Sequence, residues 1–156
     1  DGTIDLKDGS LNIGDDGQIN GKFNIDMSSI SVSDLQGGGK KSLERHLKNE
    51  DFFDVNNFPI ATLKFSSRTE NIIKNKLSLA SELTVKNITN PLKFSAQIIE
   101  ASPQLKIKAD IVFDRSIYDV RYGSGKFFEN LGDRLILDEV QIGAIILFNL
   151  WINITA

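Results

Sequence analysis

The chain of 156 residues is 40% hydrophobic and 25% charged, with a net charge of −3 and no cysteine. That length and balance predict one globular domain able to hide roughly 70% of its unfolded surface. They exclude disulfides, thiolate catalysis and Cys-based zinc sites. They also argue against nucleic-acid partners, because scattered lysines without a basic stripe release few counterions from phosphate.

Asp15-Asp16-Gly17 is the first turn signal. From Ile19, alternation puts Gly21, Phe23, Ile25 and Met27 on one face and Asn20, Lys22, Asn24 and Asp26 on the other. Residues 35–57 break that period. Gly37-Gly38-Gly39 reads as a flexible connection into a helix with Leu43 and Leu47 one turn apart and Ser42 as its N-cap. Arg45 to Pro59 reads as a short helix and turn. Its aromatics, Phe52, Phe53 and Phe58, are dense enough to plug an apolar interior.

Alternation resumes with Leu63 and Phe65 opposite Thr62, Lys64 and Ser66. Leu77, Leu79, Ser81, Leu83 and Val85 share the next face. Asn87 to Pro91 reads as a turn, with Pro91 opening a strand or sitting where no ladder donor is needed. Leu92, Phe94, Ala96 and Ile98 follow, then Leu105, Ile107, Ala109, Ile111 and Phe113. Residues 116–136 form a long non-repetitive loop holding Tyr118, Tyr122, Gly123-Ser124-Gly125, Phe127 and Phe128, which suits either a lid or a plug. The last strand carries Val140, Ile142, Ala144, Ile146, Phe148, Leu150, Ile152 and Ile154 on one face. Its other face holds Ile145, Leu147 and Trp151, and a strand apolar on both faces should be covered on both. The protein's own helix is the expected cover.

A wet face and a dry face in the strands before the last, with short turns between, predict an all-β antiparallel meander. Closure into a barrel is the common way to remove its exposed edges. The pattern by itself leaves barrel and sandwich open.

The chemistry is sparse. His46 is the only histidine, and a local hydrogen bond to a loop carbonyl or carboxylate is its plainest role. One histidine without cysteine is a poor start for zinc. Gly123-Ser124-Gly125 lacks the strand-to-helix context of a nucleophile elbow. Gly37-Gly38-Gly39-Lys40-Lys41-Ser42 lacks the first glycine of a phosphate loop and its parallel sheet. Asp114 and Glu139 at strand ends could in principle form a carboxylate pair, but Asp114-Arg115 reads as a structural ion pair. No catalytic residue, metal or cofactor is expected. No apolar run is long enough to span a membrane as a helix, so stable membrane insertion is not expected either.

Four ordered stretches carry a family resemblance. His46-Leu47-Lys48, Asp51-Phe52-Phe53-Asp54-Val55 and Phe58-Pro59, followed by Ala61-Thr62-Leu63-Lys64-Phe65, form the first. Gly21-Lys22-Phe23-Asn24-Ile25-Asp26-Met27 is the second, and Leu83-Thr84-Val85-Lys86-Asn87-Ile88-Thr89-Asn90-Pro91-Leu92 the third. The last runs from Phe113-Asp114-Arg115 and Tyr118 through Tyr122-Gly123-Ser124-Gly125 to Asp138-Glu139-Val140. Together they resemble the YceI family, bacterial lipocalin-like proteins that bind polyisoprenoid and related lipids. The resemblance spans nearly the whole chain and implies a lipocalin-like antiparallel β-barrel with one short α-helix, exported to the periplasm. Family members usually begin with a further strand carrying a Trp and a Ser. This chain opens at Asp1-Gly2-Thr3-Ile4-Asp5-Leu6, already inside the domain, so the expected first strand is missing and closure of the barrel is in question.

The resemblance further implies an apolar tunnel for a long-chain lipid such as a polyisoprenoid, isoprenoid quinone or fatty-acid derivative. By parity Phe23, Ile25, Leu63, Phe65, Leu79, Phe94, Ile107, Ile111, Phe113 and Phe148 share the dry face and would line it. Phe52, Phe53 and Phe58 would close one side. Tyr118, Tyr122 and His46 would orient the head group, and the loop from Tyr118 to Phe128 would border an opening. Two rivals stand beside this reading. One is an interaction module with a solid core that forms a homodimer through its last strand. The other is a hydrolase with paired carboxylates at the barrel mouth.

Overall fold

The computed structural model describes residues 1–149. Eight strands and one helix follow one another as β1 (Gly2–Ile13), β2 (Gln18–Val32), α1 (Gly37–Lys48), β3 (Ile60–Arg68), the two-residue β4 (Ile72–Ile73), β5 (Lys76–Val85), β6 (Ile88–Glu100), β7 (Gln104–Asp114) and β8 (Glu139–Asn149). The strands pair antiparallel in the order β1-β2-β3-β5-β6-β7-β8, with β4 against β5. This is the expected meander, curled into a lipocalin-like half-barrel. Among the described residues β1 and β8 are not paired with each other, so the sheet keeps two free edges.

Tight turns hold the register where left-handed residues can close them. Lys74 and Asn75 (φ 51° and 61°) join β4 to β5, and Lys86 and Asn87 (φ 50° and 60°) join β5 to β6. Two consecutive positive φ values match the right-handed twist of a hairpin. The second turn is therefore shorter than Asn87–Pro91, and Pro91 lies inside β6 opposite Glu82. Alternation from the Val85–Ile88 pair makes Pro91 a non-hydrogen-bonded position toward β5. Its missing N–H would face β7, whose pairing with β6 begins only at Ser95. The ladder loses nothing.

Inner and outer faces separate as parity predicts. Ile19, Phe23 and Met27 of β2 are buried, as are Leu77, Leu79, Leu83 and Val85 of β5 and Leu105, Ala109, Ile111 and Phe113 of β7. Strand β1 is less regular, with register shifts between Thr3 and Asp5 and between Leu6 and Asp8.

The meander sends the connections after β1, β3 and β6 to one end of the half-barrel. At the other end lie α1 with its following turns, the Lys86-Asn87 hairpin and the 115–138 connection between β7 and β8. Lys86 Nζ ties two of these together, donating to the Asp119 carbonyl at 2.9 Å. Helix α1 starts earlier than expected. Gly37–Gly39 form its first turn after Gln36 at the N-cap, and Ser42 sits inside the helix. Glu44 fastens it to β2, accepting from the Val32 N–H at 2.9 Å and from Ser31 Oγ at 3.1 Å. The Val32 hydrogen bond lowers the Glu44 pKa against the cost of desolvation. Leu47 packs on the core, whereas Leu43 stays at the surface.

The last strand departs from expectation. Ile145 and Leu147 on the outer face of β8 are 65% and 60% exposed, so α1 does not cover them. The helix is fastened to β2, at the far side of the sheet order, through Glu44. Leu150, Trp151, Ile152 and Ile154 lie outside the described residues.

Candidate functional site

The inner faces enclose a cavity of about 200 Å³ whose lining side chains are all apolar. An apolar void of about 150 Å³ is already large enough to stay dry and take up benzene. The lining of this one offers no group to satisfy a polar guest. Phe23, Ile25, Leu63, Phe65, Leu79, Phe94, Ile107, Ile111, Phe113 and Phe148 all line it. The Phe23 ring stands 5.4 Å from that of Phe65 and 6.1 Å from that of Phe148. Ala96, Ala109 and Ala144 pair in one row across β6, β7 and β8 and line the same space.

The cavity reaches solvent along the free edge. Leu6 and Ile13 of β1 belong to its lining yet are 46% and 50% exposed. Ile142, Ile146 and Phe148 of β8 are half-buried lining residues. The opening thus follows the unpaired side of the half-barrel. Sequence reasoning assigns no lining residue to β1, although Ile4, Leu6, Leu11 and Ile13 all contribute. Their spacing carries the signal, but the two register shifts interrupt the period that would have exposed it.

The helix end is built differently. His46, Phe52, Phe53, Phe58, Tyr118, Tyr122 and Phe128 are not among the cavity's lining residues. Phe52, Val55, Tyr118 and Val120 are buried in a packed cap instead. At its centre lies Arg115, 1% exposed. Its Nε donates to the Leu137 carbonyl at 3.1 Å, Nη1 to the Val120 carbonyl at 2.8 Å and Nη2 to the Ile136 carbonyl at 3.0 Å. Nη2 also lies 3.3 Å from Asp138 Oδ1. The guanidinium sits 5.0 Å over the Phe52 ring, a cation–π contact that joins the loop to the turn after α1. Burial pushes the Arg115 pKa down, opposed by the charges of Asp138 and Asp114.

The ion pair expected between Asp114 and Arg115 is therefore replaced by two others. Arg115 pairs with Asp138, and Asp114 pairs with Lys126. Chain direction is the reason: Arg115 turns inward at the end of β7, while Asp114 projects from the outer face. Desolvation works against the Asp114 carboxylate, but hydrogen bonds from Lys126 and Ser116 prevail and lower its pKa. Ser124, fully buried, donates from Oγ to Asp138 Oδ2 at 2.9 Å. The Gly123-Ser124-Gly125 segment is part of this network. Asp114 and Glu139 are opposed across β7 and β8, but neither lines the cavity.

Tyr118 is buried with its ring edge-on to Phe113 at 5.7 Å, and burial raises its pKa. Phe113 is thus shared, lining the cavity on one side and bearing the cap on the other. His46 Nε2 is buried and has no partner among the described residues, so the expected local hydrogen bond is not made at that nitrogen. Its ring packs edge-on to Tyr122 at 4.4 Å and stands 5.7 Å from Phe52. Tyr122 and Phe128 are exposed on the outside of the cap, and Phe53 and Phe58 are half-buried. The loop lies over this end of the sheet without lining the cavity, and Arg115 and Asp138 hold it onto the core.

Comparison with known proteins agrees with this architecture. The YceI-like domain family matches residues 1–147. Among curated proteins no sequence relative matches. The fold is similar to that of BcnA from Burkholderia cenocepacia, with 19% identity, a TM-score of 0.71 and coverage of 90% of this chain and 82% of that one. It is also similar to a Campylobacter jejuni YCEI protein, with 16% identity, a TM-score of 0.67 and coverage of 96% and 85%. A polyisoprenoid binding domain from Saccharophagus degradans, implicated in plant cell wall breakdown, shares 11% identity at a TM-score of 0.59, with coverage of 90% and 81%.

Proposed function

The chain belongs to the YceI family, and from that premise we propose that it binds, carries or stores an apolar chain such as a polyisoprenoid, isoprenoid quinone or fatty-acid derivative. The cavity of about 200 Å³ with only apolar lining residues is the observation that carries the proposal. Each methylene transferred from water to such a lining contributes about 0.8 kcal/mol, so affinity can come from chain length without a polar anchor. A chain too long for the enclosed volume would continue past Leu6 and Ile13 along the free edge. The similarity to a polyisoprenoid binding domain from Saccharophagus degradans supports the polyisoprenoid among these ligands. An exported, periplasmic setting is part of the proposal, since a long hydrocarbon crossing an aqueous compartment needs a carrier. No catalytic step is invoked.

Native mass spectrometry of protein purified from cells, followed by lipid extraction, tests this reading. A co-purifying lipid of long hydrocarbon character is expected. Protein that emerges empty and takes up neither a polyprenol nor a fatty acid in vitro would overturn it.

The exposed Ile145 and Leu147 favour a second role for β8, as a contact between two copies. Sedimentation of the wild type and of Ile145→Glu distinguishes a dimer that the substitution dissociates from a monomer that it leaves unchanged.

A further inference from the structure

Resting on the binding reading above, we infer that Gly9 and Gly21 set the bore of the cavity by letting the rings of Phe23 and Phe65 lie flat against the sheet. Gly9 is the cross-strand partner of Phe23, and Gly21 that of Phe65. A Cβ on Gly9 would fall 2.2 Å from Phe23 Cδ1, and a Cβ on Gly21 would fall 2.0 Å from Phe65 Cζ. Real Cβ contacts essentially never come under 3.0 Å. Each ring therefore occupies the volume that a side chain on its partner would take.

Backbone conformation does not explain these glycines, because neither adopts a positive φ. Within a strand a glycine is costly, having more freedom to lose and no side chain to pack. An aromatic ring leaning over it offsets that cost, most usefully near a sheet edge, and β1 is an edge strand. Phe65 leans from β3 over β2, and Phe23 leans from β2 over β1. The two rings step in one direction along the wall, 5.4 Å apart and tilted by 38°. With a methyl group beneath it, either ring would have to swing off the wall. The sheet backbone bars the outward path, so the ring would move into the cavity that both phenylalanines line.

Displacement of the fluorescent dye anilinonaphthalene sulfonate by farnesol and by palmitate tests this on the folded protein. Gly21→Ala and Gly9→Ala should each weaken farnesol and palmitate by about tenfold, the low end of what a methylene-sized misfit does in an apolar pocket. The three nearest atoms to a Cβ on Gly21 all belong to the Phe65 ring. Gly21→Ala combined with Phe65→Leu should therefore bind more tightly than Gly21→Ala alone. Folded glycine variants with wild-type affinity overturn the inference, as does a double variant that binds no better than Gly21→Ala. A wild type that binds neither compound overturns the binding reading, and this inference with it.

Discussion

The cavity wall and the cap over the helix end are both rich in aromatic residues, yet they are held together by different physics. The wall is a row of strands whose side chains mostly alternate, so Phe23, Leu63, Leu79 and Ile111 reach the same space from four separate strands. No polar side chain is among the cavity's lining residues. Gly9 and Gly21 let two rings lie against the sheet, and the short side chains of Ala96, Ala109 and Ala144 leave part of the volume unfilled. The cap has no such period. Its aromatics are gathered around Arg115, a buried cation whose hydrogen bonds to three loop carbonyls and ion pair with Asp138 hold the 115–138 connection down. One region is apolar and hollow; the other is solid with a polar centre. Aromatic density alone does not mark a ligand site.

Breaking the cap should have the largest effect, and on stability. Arg115→Met leaves Asp138 and the carbonyls of Val120, Ile136 and Leu137 without their shared donor. Removing one partner of a buried pair typically costs about 3–5 kcal/mol. Thermal denaturation should show that loss, while the protein that remains folded should bind farnesol as before. A change in affinity without loss of stability would place Arg115 at the ligand instead.

Filling the wall should do the reverse. Phe94→Trp adds apolar volume inside the cavity, and urea denaturation should register a change within about 1.5 kcal/mol, as for tolerated apolar swaps. Farnesol affinity should fall by about tenfold, the scale expected for a methylene-sized misfit. Unchanged uptake would mean that the ligand lies elsewhere.

Tyr122→Ala on the outside of the cap probes the border between the two regions. It removes the ring beside His46, and a surface change of this kind should cost within about 0.5 kcal/mol. Stopped-flow uptake of a fluorescent fatty acid should proceed at the wild-type rate, since the opening follows β1. A faster or slower rate would make the cap a gate.

Still smaller is the pH dependence at the outer rim of the cap. The folded pKa of Asp114 is lowered from its ordinary 3.8. Its contribution is therefore fully present above that value and lost as pH falls through the lowered folded pKa. The side chain is about a third exposed, so the Lys126 pairing is worth under about 1 kcal/mol. Acid titration of stability should show a shallower fall below pH 3.8 in Lys126→Met than in the wild type.

Much of the wall is legible in the sequence, because a strand's period of two assigns each residue to a face without knowledge of its neighbours. Thus Phe65, Ile107 and Phe148 reach the cavity from three different strands, as alternation predicts. Strand β1 escapes that logic where irregular pairing shifts its register. The cap escapes it altogether: nothing along the chain announces that Arg115 prefers Asp138 to Asp114, or that His46 packs on Tyr122 with Nε2 unpartnered among the described residues.

Local periodicity and ordered motifs were enough to specify the inner faces of β2, β3, β5, β6, β7 and β8, the helical interruption and membership of a lipocalin-like family. Three outcomes needed the folded chain. Among the described residues the sheet stays open between β1 and β8, the interior keeps a void, and the aromatic loop closes an end. They depend on sheet curvature, on rings lying over glycines and on one buried guanidinium choosing its partners, and each requires residues far apart in the chain to meet.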